Sequence, residues 1–329
     1  VTDIPNDGTL IPLPVDRDIK TIIEQGVVDP VFDIDILPLT YSNSRWYAYC
    51  YEADEKDLNH VLPEPLQLED DVVEFWYVDH NNTNLGPYGE FGITVAASYT
   101  APDGTRYLGG YYPYMYLTQD AAIDAGRVLG FPKKGAFIRV LEHGAEDGSW
   151  DAGYLLGCAC MKAPFGKYFS VAMARNGYLI HTATGVFTGR SITDLERVPI
   201  FYGKTEWGRM NMKIMSDSTL ARTTWQLTYL PSEWQGKHRF QLKPETVRTA
   251  DPDHIWWFWQ ATPTENLASV LPVKRLLGLI AFSFDFTLPI PSVIWERAYE
   301  RTDEDVEALK SQEWYTYGMS VVYPKLYGV

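Results

Sequence analysis

The chain has 329 residues, 46% of them hydrophobic, and its 43 acidic and 28 basic residues give a formal net charge of −15. This length and apolar content are enough for one large domain or two small ones. The negative charge argues against binding to nucleic acid, which depends on neutralising phosphates, and against binding to an anionic membrane surface.

The three cysteines, Cys50, Cys158 and Cys160, are an odd number without a disulfide-framework spacing, which favours a reducing, cytoplasmic setting. No segment is long enough to cross a bilayer, and the N-terminal segment is polar and proline-rich without an apolar signal region. Because the chain does not begin with Met, a removed targeting peptide is one alternative.

Along the chain, residues 1–40 are predicted to form an arm, 41–298 the main domain, and 299–329 a C-terminal helix with an aromatic tail. Segments rich in Tyr, Phe, Trp, Val and Thr, separated by turn residues, predict many strands. The predicted strands are Arg45–Glu52, Val72–Asp79, Gly92–Tyr99, Tyr107–Leu117, Ala136–Glu142, Tyr154–Met161, Tyr168–Ala174, Met210–Met215 and Leu220–Leu230. The predicted helices are Glu55–Val61, Asp120–Leu129, Asn266–Leu276 and Thr302–Gln312.

This distribution predicts a mostly β (α+β) protein in which an antiparallel sheet closes into a barrel or cone, with a few helices outside it. The apolar segment Leu276–Phe286 is predicted to be a buried strand or helix. The aromatic cluster Ile255–Trp259 is predicted to pack in the core or an interface, and a stacking wall for a planar substrate is the alternative.

A pair of lysines, Lys133 and Lys134, follows a predicted helix that Gly130 and Pro132 end. Most lysine pairs are solvated surface charge. Here, however, the aromatic run Tyr111–Leu117 precedes the pair and a β-prone segment follows it. A lysine in an apolar pocket beside a second cation is hard to protonate, and a neutral amine attacks carbonyls to form Schiff bases.

Several short motifs occur in one order over roughly residues 40–300. They are RWYAYCYE beginning at Arg45, LPEPL at 62–66, GPYGEFG around Glu90, YMYL at 114–117, GR at 126–127, FPKK at 131–134, LPVK at 271–274 and DFTLP at 285–289. With these motifs the chain resembles the acetoacetate decarboxylase family.

The resemblance implies a role for four residues. Lys133 would be the Schiff-base nucleophile, and Lys134 the neighbouring cation that lowers its pKa. Glu90 would position the substrate or relay protons, and Arg45 would face the substrate carboxylate or help to order the site. The resemblance also implies that no cofactor is needed and that the protein assembles as a homo-oligomer.

The chain departs from the family pattern at three places. Val128 stands where the family usually has Glu, and the spacing from Gly-Arg to Pro-Lys-Lys is one residue short. A second pocket glutamate of the family aligns with Trp76, which would remove a charge and reshape the pocket.

Tyr114 and Tyr116, at alternate positions of one strand, are predicted to point into the same space and contact substrate.

We therefore predict a lyase that decarboxylates a β-keto acid or related oxo acid, larger than acetoacetate, through a Schiff base. One alternative is an aldolase or dehydratase of secondary metabolism that uses the same lysine. Another is a small-molecule binding module without chemistry. The expected partner is a small carbonyl compound, with no nucleic acid and no membrane.

The six histidines show no metal-binding spacing, so no metal site is predicted. Asp79 and His80 could form an acid–base pair at a strand end. The preference of Asn and Asp for turns favours a turn into the segment NNTN instead.

Overall fold

The computed structural model describes residues 38–143, 168–188, 207–216, 221–231, 241–262 and 265–304. Three short α-helices occur there: α1 (Glu55–Val61), α2 (Asp120–Val128) and α3 (Leu267–Val270). The strands of the described residues are β1 (Leu39–Glu52), β2 (Gln67–His80), β3 (Asn82–Thr83), β4 (Tyr88–Thr100), β5 (Arg106–Leu117), β6 (Lys133–Gly135), β7 (Phe137–His143), β8 (Tyr168–Arg175), β9 (Tyr178–Val186), β10 (Gly208–Ser216), β11 (Arg222–Leu230), β12 (Gln241–Ala250), β13 (Ile255–Trp259), β14 (Arg275–Leu288) and β15 (Ser292–Glu300).

Among the described strands, eleven form one large sheet, in the order β12-β14-β1-β2-β4-β5-β10-β11-β15, with β3 paired to β1 and β6 paired to β5. Most neighbours are antiparallel, but β5 runs parallel to both β6 and β10. The sheet is therefore mixed rather than wholly antiparallel. The described strand order has two ends, so the predicted closure into a barrel is not observed in this part of the chain.

A second sheet has the order β13-β9-β8-β7. One apolar core contains residues of both sheets, for example Phe75 and Phe91 of the large sheet with Phe169 and Ile180 of the small one. Because neighbouring residues of a strand point to opposite faces, the large sheet has a core face and a second face. The candidate site lies on that second face.

In the strands that form the site, successive side chains alternate regularly between the core face and the second face of the large sheet. Tyr77 and Phe75 of β2, and Phe91 of β4, lie in the core, whereas Trp76, His80 and Glu90 line a cavity. Two bulges alter this pattern. One lies in β1 between Tyr41 and Ser44, and the other in β5 between Tyr111 and Tyr114.

Several sequence predictions are confirmed by these elements. The helices at Glu55–Val61 and at Asp120–Val128 form, and 276–286 is strand within β14. The predicted packing of the cluster Ile255–Trp259 is confirmed in part: Ile255, Trp257 and Trp259 lie in or against the core, whereas Trp256 and Phe258 are exposed. The predicted helix at 266–276 forms only over Leu267–Val270, because β14 already begins at Arg275 and pairs with β1.

Other predictions lie outside the described residues. They are the arm up to residue 37, the strand at 154–161, and the tail after residue 304. None of the helices that the structure describes has the length and apolar content needed to cross a membrane. The described residues also contain no group of three or more His, Cys, Asp or Glu side chains placed to hold a metal ion.

Candidate active site

Lys133 lies in the short strand β6, immediately after the turn that ends α2. Gly130 has φ of +99°, a backbone conformation that favours glycine, and its N–H donates to the carbonyl of Arg127. The chain then runs parallel to β5, with Lys133 opposite Met115. The end of α2 and the pairing of β5 with β6 fix the position from which the Lys133 side chain projects from the sheet.

The Gly-Arg pair of α2 contacts Lys133 directly. A Cβ on Gly126 would lie 2.2 Å from Cδ and 2.4 Å from Cε of Lys133, so the lysine stem crosses the helix where no side chain exists. Arg127 donates from Nε to the main-chain carbonyl of Lys133 at 2.9 Å. Gly126 leaves space for the Lys133 side chain, and Arg127 holds the Lys133 main chain in place.

The Lys133 side chain lines a cavity of about 30 Å³, measured as the space open to the centre of a water-sized sphere. Its walls are mostly aromatic, and Lys133 itself is only 4% exposed. The lining residues are Tyr41, Trp46, Trp76, His80, Glu90, Tyr112, Met115, Phe131, Lys133, Arg209, Phe286 and Leu288.

Glu90 is the ionic partner of Lys133. Its Oε1 lies 3.2 Å from the Lys133 Nζ, and its Oε2 lies 3.3 Å from Nε2 of His80. Burial alone would raise the pKa of Glu90, but the charge of Lys133 and the hydrogen bond from His80 outweigh burial and hold that pKa below its ordinary value. Glu90 is therefore an anion inside an apolar cavity.

The pKa of Lys133 lies below the ordinary lysine value. Burial is the largest cause, Glu90 opposes it, and the positive charge of Arg209 lowers the pKa further. The Nζ also lies 5.4 Å from the centre of the Phe131 ring. A lysine with a lowered pKa, next to a carboxylate that can accept its proton, is suited to act as a nucleophilic amine.

Trp76 forms one wall of the cavity. Its indole lies directly over Gly92, where a Cβ would be 2.2 Å from the ring. It stacks on Trp46 with centroids 4.6 Å apart and donates from Nε1 to Thr94 Oγ1 at 2.8 Å. These contacts make the wall rigid and apolar.

The structure does not bring Lys134 into this cavity. Neighbouring residues of β6 point to opposite faces, and the Lys134 Nζ lies 3.5 Å from Oε2 of Glu265. Glu265 also contacts Arg175 at 2.8 Å and accepts from the Tyr116 hydroxyl at 2.5 Å. Among the charges that affect the pKa of Lys133, the cation is Arg209 rather than Lys134.

Arg45, Tyr114 and Tyr116 also lie away from the cavity lining. Arg45 alternates with Ser44 and Trp46 of β1, and it lies opposite Asp79 in the register of β1 with β2. Tyr116 is part of the core and Tyr114 packs against it. The bulge in β5 directs Tyr112, rather than these two tyrosines, into the cavity.

Sequence reasoning missed Arg209 and set His80 aside. Arg209 is the second residue of β10, which joins the site only because it runs parallel to β5, with Arg209 opposite Gly110. No local motif signals that pairing. His80 is the last residue of β2 rather than part of a turn, and the β2–β4 register, with His80 opposite Tyr88, continues to that point. The sequence signal that pointed to His80 was the alternative interpretation of Asp79 and His80 as an acid–base pair at a strand end.

The sequence model described as "Acetoacetate decarboxylase (ADC)" matches residues 30–298 of the chain. The acetoacetate decarboxylase of Clostridium botulinum (strain Eklund 17B / Type B) is 27% identical over 270 residues, covering 79% of this chain and 89% of that one. The acetoacetate decarboxylase of Acidiphilium cryptum (strain JF-5) is 32% identical over 99 residues. That alignment spans only 38% of the relative's length and 30% of this chain.

Solved structures share the fold at low sequence identity. The acetoacetate decarboxylase of Legionella pneumophila matches with a TM-score of 0.61 at 19% identity, over 84% of this chain and 96% of that one. The enduracididine biosynthesis enzyme MppR, complexed with the condensation product of pyruvate and imidazole 4-carboxaldehyde, matches with a TM-score of 0.58 at 16% identity. That match covers 78% of this chain and 89% of MppR.

Proposed function

The chain belongs to the acetoacetate decarboxylase family, and from that premise we propose that it is a cofactor-independent lyase that decarboxylates an oxo acid through a Schiff base on Lys133. The observation that carries the proposal is the buried ion pair of Lys133 and Glu90 inside an aromatic cavity. A pure binding module would not need a lysine with a lowered pKa beside an acceptor for its proton.

Imine formation uses the two partners of this pair. The Lys133 ammonium gives one proton to Glu90, and the free amine attacks the carbonyl carbon of the substrate. The nitrogen of the adduct loses a proton to the substrate oxygen, and Glu90 returns its own proton to that hydroxyl group. Water leaves, a protonated imine remains, and the Glu90 carboxylate is regenerated.

Decarboxylation follows from the charge on the imine. The electrons of the breaking carbon–carbon bond move to the imine nitrogen as carbon dioxide leaves, which gives an enamine. Protonation at carbon restores an imine, and water hydrolyses it to release the ketone and the lysine. The apolar cavity favours the step in which the substrate loses its negative charge.

We assign the recognition of the substrate carboxylate to Arg209. It is the cation of the cavity lining besides Lys133, and its guanidinium lies 5.6 Å from the centre of the Phe286 ring. Arginine binds carboxylates in a planar, bidentate geometry. Arg45, to which the resemblance assigned this role, faces away from the cavity.

The size of the substrate stays a proposal. The cavity of about 30 Å³ is narrow for an oxo acid, so we expect lining side chains to move when the substrate enters. Its volume does not support the expectation of a substrate larger than acetoacetate. The aromatic walls do favour a substrate with an apolar substituent.

A second candidate function is an aldolase or dehydratase reaction on the same lysine. Trp76, rather than a charged residue, lines the cavity and packs edge-on against Tyr112, with ring centroids 6.0 Å apart. The structural similarity to MppR, with its bound condensation product of pyruvate and an aldehyde, supports this alternative.

The proposal has three further parts: closure of the sheet into a cone, a cytoplasmic setting and homo-oligomeric assembly.

Borohydride trapping tests the proposed chemistry. The protein is incubated with acetoacetate, acetopyruvate or pyruvate plus an aldehyde, reduced, and analysed by intact mass and peptide mapping. We expect a stable adduct on Lys133, and its mass reports whether carbon dioxide has left. If the folded protein forms no adduct with any of these carbonyl compounds, the Schiff-base proposal is rejected.

Arg209→Gln is expected to weaken both recognition and nucleophile activation. Loss of a charged hydrogen bond predicts about a tenfold or greater fall in kcat/KM for an oxo acid. Removal of the positive charge raises the pKa of Lys133, so the limb on which activity rises with pH moves to higher pH. The measurement is the pH profile of kcat/KM. A neutral β-diketone as trapping reagent is the control, since its binding needs no carboxylate contact.

Lys134→Ala is expected to leave unchanged the pH range over which kcat/KM rises. The Lys134 ammonium lies on the opposite face of β6, and Glu265 keeps its contacts with Arg175 and Tyr116 after the change. The measurement is again kcat/KM against pH, beside the wild type. A move of the limb to higher pH would restore Lys134 as the cation that lowers the pKa of Lys133.

A further inference from the structure

His80 makes a defined contact with each of its ring nitrogens. Its Nε2 lies 3.3 Å from Oε2 of Glu90, and its Nδ1 lies 2.8 Å from the hydroxyl oxygen of Ser44. An ionised carboxylate only accepts hydrogen bonds, so the proton of a neutral ring must be on Nε2. Nδ1 then accepts from the Ser44 hydroxyl, and the contacts specify one tautomer.

The surroundings of His80 favour that neutral ring. Burial is the largest cause of its lowered pKa; Glu90 opposes it, and the charges of Lys133 and Arg209 add to it. Tyr41 of β1 and Tyr88 of β4 pack against the ring, with centroids 4.8 and 4.7 Å away. His80 is only 3% exposed, so these groups fix its orientation.

A buried histidine with two hydrogen bonds is most often only a satisfied core residue. Here, however, the carboxylate that it contacts is the one that faces the proposed nucleophile. The two carboxylate oxygens of Glu90 contact different partners: Oε2 contacts His80 and Oε1 contacts Lys133. The bond to His80 holds Oε2, so without it the carboxylate could rotate and turn Oε1 away from the Lys133 amine.

We propose that His80, oriented by Ser44, is a positioning residue that holds Glu90 with Oε1 directed at the Lys133 amine. The proposal rests on the proposed Schiff-base function. His80 does not exchange protons in this role. It fixes the oxygen that accepts one proton from the Lys133 ammonium and returns one to the hydroxyl group of the adduct as water leaves.

The first test reads the tautomer and does not depend on turnover. In protein with ¹⁵N-labelled histidine, NMR is expected to show a proton bonded to Nε2 of His80 and none on Nδ1. The signals of His80 are assigned by their loss in His80→Gln. A proton on Nδ1, or a doubly protonated ring at neutral pH, would overturn the proposed arrangement.

The second test compares two replacements of His80 in the rate of imine formation with acetoacetate. Glutamine can place an amide N–H near the position of Nε2, whereas methionine fills similar space without a donor. We expect His80→Met to slow imine formation by about tenfold to a hundredfold, within the lower range of general acid–base effects, and His80→Gln to stay within about threefold of wild type. Ser44→Ala is expected to lie between them.

These outcomes separate the positioning role from a purely structural one. Equal rates for His80→Met and wild type would overturn the proposal, and so would a His80→Gln variant as slow as His80→Met with the same thermal stability. If wild-type protein forms no Lys133 adduct at all, the proposed function fails, while the NMR result independently decides whether His80 has the stated tautomer.

Discussion

Lys133→Arg is expected to abolish the borohydride-trapped adduct and to lower turnover by several orders of magnitude. Arginine keeps a positive charge beside Glu90, but its guanidinium stays protonated in proteins and cannot act as the nucleophilic amine. The change therefore removes the chemistry and retains a charged partner for the buried carboxylate. Steady-state turnover and peptide mapping after reduction measure the two effects.

Lys134→Ala is the matched control for this variant, because it removes the neighbouring lysine from the other face of the same strand. We expect it to keep both the adduct and most of the turnover. Lys133→Ala is less informative, since it would leave the Glu90 carboxylate buried without its lysine and could destabilise the fold. Adduct formation at wild-type rate in Lys133→Arg, on any other residue, would reject Lys133 as the nucleophile.

Gly126→Ala is expected to lower turnover by a hundredfold or more without unfolding the protein. The new Cβ would lie 2.2 Å from Cδ and 2.4 Å from Cε of Lys133, so the lysine side chain must leave its path over α2. A displacement of about 1 Å at a reacting atom can cost about a hundredfold in rate. Alanine is also the better helix former, by about 1 kcal/mol, which opposes a loss of stability.

The control for this prediction is Gly135→Ala in β6. A Cβ there would make only an ordinary contact, 3.7 Å from Cδ1 of Ile123. We expect wild-type turnover from Gly135→Ala, and from Gly126→Ala a thermal midpoint close to wild type together with slow adduct formation. Full activity in Gly126→Ala would show that the lysine reaches substrate by another path, and the close packing on α2 would then have no catalytic role.

The sequence was most informative where a short segment decides its own structure. The end of α2 just before Gly130, the strand predicted from Ala136, which forms as β7, and the position of Lys133 between the two follow from local residues, whereas the short strand β6 was not predicted. Glu90 was placed in the same pocket only through the family resemblance, and it lies beside Lys133. The turn predicted at Asp79-His80 lies later in the chain, at Asn84-Leu85, because pairing of β2 with β4 continues through His80.

Predictions of side-chain direction failed where they depended on register. Lys134 was placed beside Lys133 because the two are adjacent in sequence, yet adjacent residues of a strand point to opposite faces. Tyr114 and Tyr116 were correctly placed on one common face, but it is the core face. The bulge in β5 that turns Tyr112 toward the cavity contains Pro113, and a proline inside a strand is the sequence signal of such an irregularity.

By itself, the sequence indicated the family of the protein, its strand-rich composition and the segment that carries Lys133, because these follow from the type and order of residues along the chain. Only the tertiary structure decided which charges surround Lys133. Arg209 and His80 come from strands far apart in sequence, and they meet Lys133 through strand order and register. Burial then lowers the pKa of Lys133, and this effect exists only once distant strands exclude water from the lysine.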